Sequence, residues 1–177
     1  MGLAGVLAFG LVVLTLHLLQ PAYDARHQLL SELAEGRGGW ALRLAFGGVV
    51  LALLGVQHGL GAVGAAAAPR ALLGGAAVAL GVAGAVPLGQ AAEVHIVAVL
   101  MGLVLIGVAG YLLPTRAGRL PARALRRGTW LLGCVAVAGL VSMNFGMPIG
   151  LAQRLAVACV LGWLGWLSVR LLRAGPC

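Results

Sequence analysis

The chain has 177 residues, 62% hydrophobic and 9% charged, with a formal net charge of +8. A soluble domain carries about 45–50% apolar and about 25% charged residues, so this composition excludes an ordinary soluble fold. It also excludes a disordered chain, which needs few apolar residues. What remains is an integral membrane protein.

A helix that crosses the hydrocarbon core needs roughly 20 apolar residues. Six segments meet that need, at about 3–20, 40–60, 70–86, 91–113, 128–147 and 149–172. The predicted fold is therefore all-α, a six-helix membrane bundle forming a single domain over residues 1–177. No Lys or Arg precedes the first apolar run, so that run is read as a retained spanning helix, not a cleaved signal peptide.

Between the first two spans lies a polar loop, from Gln20 to Gly39. Asp24 is a good helix N-cap, and Gly36, Gly38 and Gly39 supply a stop. Asp24, His27, Gln28, Ser31 and Glu35 fall on one helical stripe, and Leu29, Leu30 and Leu33 on another. The loop is accordingly predicted to hold a short amphipathic helix at the membrane interface, anchored by Tyr23 and Trp40. Near the end of the second span, Gly55 and Gly59 form a Gly-x-x-x-Gly pair around His58. That pattern points to helix packing, and His58 is read as a packing or interfacial residue.

The third span is short and rich in Ala and Gly, which suits a helix shielded by close neighbours. Pro87-Leu88-Gly89 turns the chain into the fourth span, whose first turn brings Glu93 and His95. Glu93 suits that position, because a helix N-terminus favours an anion. Pro148 separates the last two spans and is expected to open the sixth helix, with Asn144 before it and Gln153-Arg154 after it. Arg154 sits where the helix dipole disfavours a cation, so it needs a partner; Glu93, Glu32 and Asp24 are the candidates.

The 12 basic residues are all arginines. With a cytoplasmic N-terminus, Arg70, Arg116, Arg119, Arg123, Arg126, Arg127, Arg170 and Arg173 lie inside, against Arg26, Arg37, Arg43 and Arg154 outside. The positive-inside rule then places both termini in the cytoplasm of a multi-pass cell-membrane protein. The arginines bound apolar runs and form no stripe with interleaved aromatics, so no nucleic-acid partner is expected. Cys134, Cys159 and Cys177 make no disulfide framework.

In this topology Asp24, Arg26, His27, Ser31, Glu32, Glu93, His95, Asn144, Gln153 and Arg154 all come from outer loops or helix ends. His17 lies about one turn below and can join them. Ionisable groups at membrane depth usually face a bundle interior or a wet cavity. The leading expectation is an outer-face site for a lipid head group or another amphiphile, with Arg26, His27 and Arg154 pairing to phosphate. A second reading is a metal-assisted intramembrane hydrolase using His27, Glu93, His95 and Asp24 as zinc ligands. No H-E-x-x-H or Gly-x-Ser-x-Gly spacing accompanies it. A third is a b-haem site between His17 and His95. In a fourth the chain is an accessory subunit whose polar cluster only locks the fold. No cofactor is assigned. Membrane lipids are the expected partners, and a homo-oligomer or a larger membrane complex stays open.

The chain resembles an uncharacterised bacterial and archaeal membrane family, domain of unknown function 998. The resemblance rests on Pro21-x-Tyr23-Asp24, Leu30-Ser31-Glu32-Leu33, His95 opening the fourth helix, and Gly150-Leu151-x-Gln153-Arg154 before Trp163 and Trp166. It extends over nearly the whole chain. It implies a six-helix membrane fold with an outer-face motif and carries no activity.

Overall fold

The computed structural model describes residues 1–116, 120–142 and 145–174. Its α-helices are α1 (Gly2–Leu19), α2 (Trp40–Ala62), α3 (Ala67–Ala85), α4 (Ala92–Arg116), α5 (Ala122–Ser142) and α6 (Ile149–Ala174). No strand occurs among the described residues. α1, α2, α3, α4 and α6 are long and apolar enough to cross a membrane. α5 is not among them; it starts earlier than the apolar run, so that Arg123, Arg126 and Arg127 fall inside its first turns. Pro121 opens it by accepting the Leu125 N–H at 3.2 Å.

Chain order is largely spatial order. α2 packs against α1 and α3, α3 against α4, and α5 against α6, while α6 closes back on α1 and α2. Small residues set the closest crossings. A Cβ on Gly5 of α1 would collide with the Gly48 carbonyl of α2, and one on Gly55 would come 2.9 Å from the Gly2 nitrogen. The Gly-x-x-x-Gly pair thus serves packing, with Gly59 turned toward Leu171, and His58 is exposed. Leu16, Leu42, Leu53, Leu60, Leu73 and Leu164 are buried between the helices. Leu7, Leu11, Leu14 and Leu18 of α1 and Val97, Leu100, Met101 and Val104 of α4 are exposed. Apolar bands of this kind are foreign to a soluble monomer and natural against lipid.

At one end of the bundle the start of α1 meets the last turns of α6, where Gly2 lies against Ser168. The opposite end carries the Gln20–Gly39 loop and the turns before α4 and α6. Pro87 makes the expected turn, its carbonyl accepting the Gln90 N–H at 3.0 Å. Pro148 opens α6, its carbonyl accepting from Leu151 and Ala152 at 3.0 and 3.1 Å.

The loop helix is shorter than its amphipathic stripe predicts. Only Leu30–Ala34 is helical, as a single 3₁₀ segment. Asp24 starts one turn, accepting from the His27 and Gln28 N–H groups, and the backbone is extended by Leu29. The Gln28 carbonyl turns out of the helical ladder toward the Tyr23 and Arg154 side chains, while the Leu29 carbonyl starts the 3₁₀ segment by accepting the Glu32 N–H at 3.0 Å, so the Asp24 turn does not propagate. Leu30, Ser31 and Leu33 are buried, so the segment packs into the bundle as well as bordering its surface.

Candidate functional site

At the loop end Arg154 organises the polar residues. From the second turn of α6, Nη1 donates to the Gln28 carbonyl at 3.1 Å and to the Gly150 carbonyl at 2.9 Å. Nη2 donates to the Tyr23 hydroxyl and to His17 Nε2, the latter at 3.3 Å. His17 can accept there because its Nδ1–H is spent on the Val13 carbonyl at 2.7 Å. Tyr23 in turn donates to backbone carbonyls, Leu29 at 2.8 Å and Gln28 at 3.2 Å. Burial pushes the Tyr23 phenol up, and the Arg154 hydrogen bond opposes that shift. The carboxylates expected to partner Arg154 are not among its hydrogen-bond partners. Neutral acceptors take their place, because the loop backbone reaches the guanidinium first. Tyr23 is half-buried in this network, while Trp40 stands exposed at the start of α2.

Two further residues of α6 grip the loop. Gln153 Oε1 accepts the Leu30 N–H at 2.6 Å. Gly150 lies against loop backbone so closely that a Cβ there would meet the carbonyls of Arg26 and Gln28 at 2.6 Å and Ala25 at 2.7 Å. Glu32 braces the 3₁₀ segment from within, accepting from the Leu29 N–H at 2.7 Å and from Gln28 Nε2 at 3.1 Å.

Other polar residues separate from this lock. Asp24 and His27 form an exposed pair at 2.7 Å, with the His27 Nδ1–H donating. That bond, seconded by the Arg26 N–H, holds the Asp24 carboxyl below the usual carboxylate range. Arg26 and Glu93 are exposed, and Asn144 lies outside the described residues.

His95 belongs to a different environment, since it is only 3% exposed. Its Nδ1 lies 2.9 Å from the carbonyls of both Ala83 and Val86, so that nitrogen carries the proton. These carbonyls end α3, where the helix leaves its last acceptors without intrahelical partners. The ring stands edge-on to Phe46, with centroids 5.9 Å apart. Nε2 is buried and has no hydrogen-bond partner.

His95 lines a cavity of about 330 Å³ beneath the loop. Leu29, Leu30 and Ser31 form its roof, and its walls include Phe9, Phe46, Leu103, Val157 and Leu161. Ser31, His95 and Gln153 are its polar lining residues. Leu100, Leu103, Ala156 and Val160 also border a second apolar cavity of about 350 Å³, which extends along α4, α5 and α6 to Thr129 and Trp163. Ile96, Leu100 and Ile149 line the first cavity and are exposed on the flank of the bundle, so it opens toward the lipid side.

Among the described residues no three His, Cys, Asp or Glu side chains group as a metal site. His27 is paired outside, Glu93 is exposed, and His95 faces the cavity. A shared haem fits no better, because His17 Nε2 is held by Arg154. The nine described candidate residues thus divide into a loop lock, an exposed fringe and a cavity end. Sequence reasoning missed Tyr23 as a lock residue; its place one residue before Asp24 pointed only to an interfacial anchor. The cavity walls carried no signal beyond apolar periodicity.

The family model described as "Protein of unknown function (DUF998)" matches residues 3–170. No curated protein matches the chain, and no solved structure does.

Proposed function

The chain belongs to the DUF998 family, and from that premise we propose that it is a multi-pass membrane protein that binds an amphiphile. The chain of the ligand lies in the apolar cavity beneath the first loop, and its polar end meets His95, Ser31 and Gln153. The observation that carries this reading is the unpartnered Nε2 of His95, buried in the wall of an apolar cavity of about 330 Å³. A buried polar atom without a partner costs about 1–3 kcal/mol, so one at the end of a pocket favours a ligand that satisfies it. The volume lies within the range of small-molecule pockets, roughly 300–1,000 Å³.

The polar cluster then has two tasks. His95, Ser31 and Gln153 receive the ligand. Arg154, Tyr23 and His17 hold the roof above it, because Arg154 pins the backbone next to Leu29. Arg154 is on this reading a positioning residue, not a phosphate clamp; its Nη donors are committed to the protein. The arginine balance supports a cytoplasmic location for both termini, which sets the cavity toward the outer leaflet.

Native mass spectrometry of protein taken from its own membranes tests the reading. The wild-type chain is expected to retain a bound amphiphile that Val99→Phe and Val157→Phe, which narrow the cavity, release while staying folded with the thermal stability of the amphiphile-stripped wild type. No retained amphiphile, or equal retention in folded cavity-filled variants, would contradict it.

A further inference from the structure

Resting on the cavity reading above, we infer that the ligand is an uncharged amphiphile ending in a hydroxyl, and that the site discriminates against anionic lipids. The polar end of the cavity is defined by what each group has left to offer. His95 Nδ1–H is consumed by the Ala83 and Val86 carbonyls, so Nε2 is presented as an acceptor. The His95 ring lines the cavity, and the side chain is nine-tenths buried.

Gln153 offers the opposite polarity. Its Oε1 must face the Leu30 N–H, which is a donor, and this leaves the Nε2 amide to donate. Ser31 Oγ can do either. One acceptor, one donor and one adaptable hydroxyl match an alcohol, whose oxygen both donates and accepts. An ether or ester end accepts only and leaves His95 unmet. A quaternary ammonium end does neither.

Charge sharpens the choice. No cationic side chain lines the cavity; Arg154 spends its Nη donors on Gln28, Gly150, Tyr23 and His17, and the exposed Arg43 borders only a small adjoining void of about 10 Å³ with Ser31 and His95. An anion there would be desolvated without a counter-charge, which apolar surroundings penalise heavily. A site built to hydrogen-bond a hydroxyl also rejects the analogue lacking it, because its own buried groups are then unpaired. Entry needs no aqueous path, since the cavity opens beside the exposed Ile96, Leu100 and Ile149.

The test uses the full chain in nanodiscs and four probes: 1-hexadecanol, hexadecane, hexadecanoate and 1,2-dipalmitoylglycerol. It is run at about pH 8, where a carboxyl group of reference pKa about 4.3 is ionised. 1-Hexadecanol is expected to bind at least tenfold more tightly than hexadecanoate and about tenfold more tightly than hexadecane, each tenfold being about 1.4 kcal/mol. His95→Leu should bring alcohol affinity down to that of the alkane, and ¹⁵N NMR should show the His95 Nε2 resonance shifting with alcohol and not with alkane. Dipalmitoylglycerol binding as tightly as hexadecanol assigns the hydroxyl to a two-chain lipid; much weaker binding assigns it to a single-chain alcohol. Preference for hexadecanoate would overturn the inference and leave amphiphile binding standing. Binding of none of the four, in protein whose fold is intact, would overturn both.

Discussion

The guanidinium of Arg154 both hydrogen-bonds the Tyr23 hydroxyl and lies over the Tyr23 ring, 5.3 Å from its centroid. The two residues are 131 positions apart, and their contact fixes the first loop to the start of the last helix. Arginine suits this place because its planar fork spreads donors over several separated acceptors, a geometry that the compact ammonium of a lysine does not reproduce.

Arg154→Lys should therefore destabilise the chain more than Tyr23→Phe. Loss of hydrogen bonds to a charged group costs about 1.5–3 kcal/mol, and Tyr23→Phe should cost about 1 kcal/mol. Thermal unfolding of the two single variants and the double variant in one detergent measures both. The cycle should show coupling of about 0.5–3 kcal/mol, since the residues share one network. Simple additivity would show that the contact does not join loop to helix.

Gly150→Ala should loosen the loop without touching a polar side chain. The added Cβ would press on three loop carbonyls at 2.6–2.7 Å, and backbone atoms cannot swing aside. Limited proteolysis in the Gln20–Gly39 loop should accelerate several-fold, and hydrogen exchange at Leu151, whose N–H bonds Arg26 at 3.2 Å, should rise.

The exposed Asp24–His27 pair makes a pH-dependent contribution. Asp24 has its folded-state pKa lowered, first by the His27 hydrogen bond. The stability it adds is present above the ordinary aspartate pKa and is lost as pH falls through the depressed folded value. His27→Ala should return the Asp24 titration toward its ordinary position, an upward movement visible by ¹³C NMR of the carboxyl. Both side chains are solvent-exposed, so the global stability at neutral pH should change little.

His95→Leu should destabilise the chain by about 1–3 kcal/mol, because the carbonyls of Ala83 and Val86 lose their donor at the end of α3. The apparent cost, read by thermal unfolding, should shrink once bound amphiphile is stripped from the wild type. A ligand that binds only the native protein adds stability by mass action, and the variant has none to lose.

Much of the architecture is legible in the amino-acid order. Apolar runs, with Pro87 and Pro148 as punctuation, predict α1, α2, α3, α4 and α6 close to their observed limits, because length and hydropathy decide which segments suit lipid; α5 instead starts at Ala122, six residues before its predicted run, and is not among the helices apolar enough to cross. The misplaced charge of Arg154 correctly announces a partner. Its nature is not legible, since a backbone carbonyl such as Gln28 O leaves no mark in composition. The loop helix is over-read for the same reason: its stripe is helical, but Tyr23 and Arg154 draw the Gln28 carbonyl away. His95 hides most. Its position in the first turn of α4 matches that of a head-group ligand, and only the fold sets its ring, with Nε2 unpartnered, in the wall of an apolar cavity.

Photo-cross-linking tests the central claim most directly. A hexadecanol analogue bearing a diazirine near the end of its chain is irradiated with the full-length protein in nanodiscs, and the modified residues are mapped by mass spectrometry. Occupancy of the cavity predicts adducts clustered on its walls, at Val99, Leu103, Val157 and Leu161, which disappear with excess unlabelled hexadecanol and in Val157→Phe. Adducts confined to the lipid-facing residues Leu7, Leu11 and Leu14, unaffected by competitor, would contradict a binding cavity in this protein.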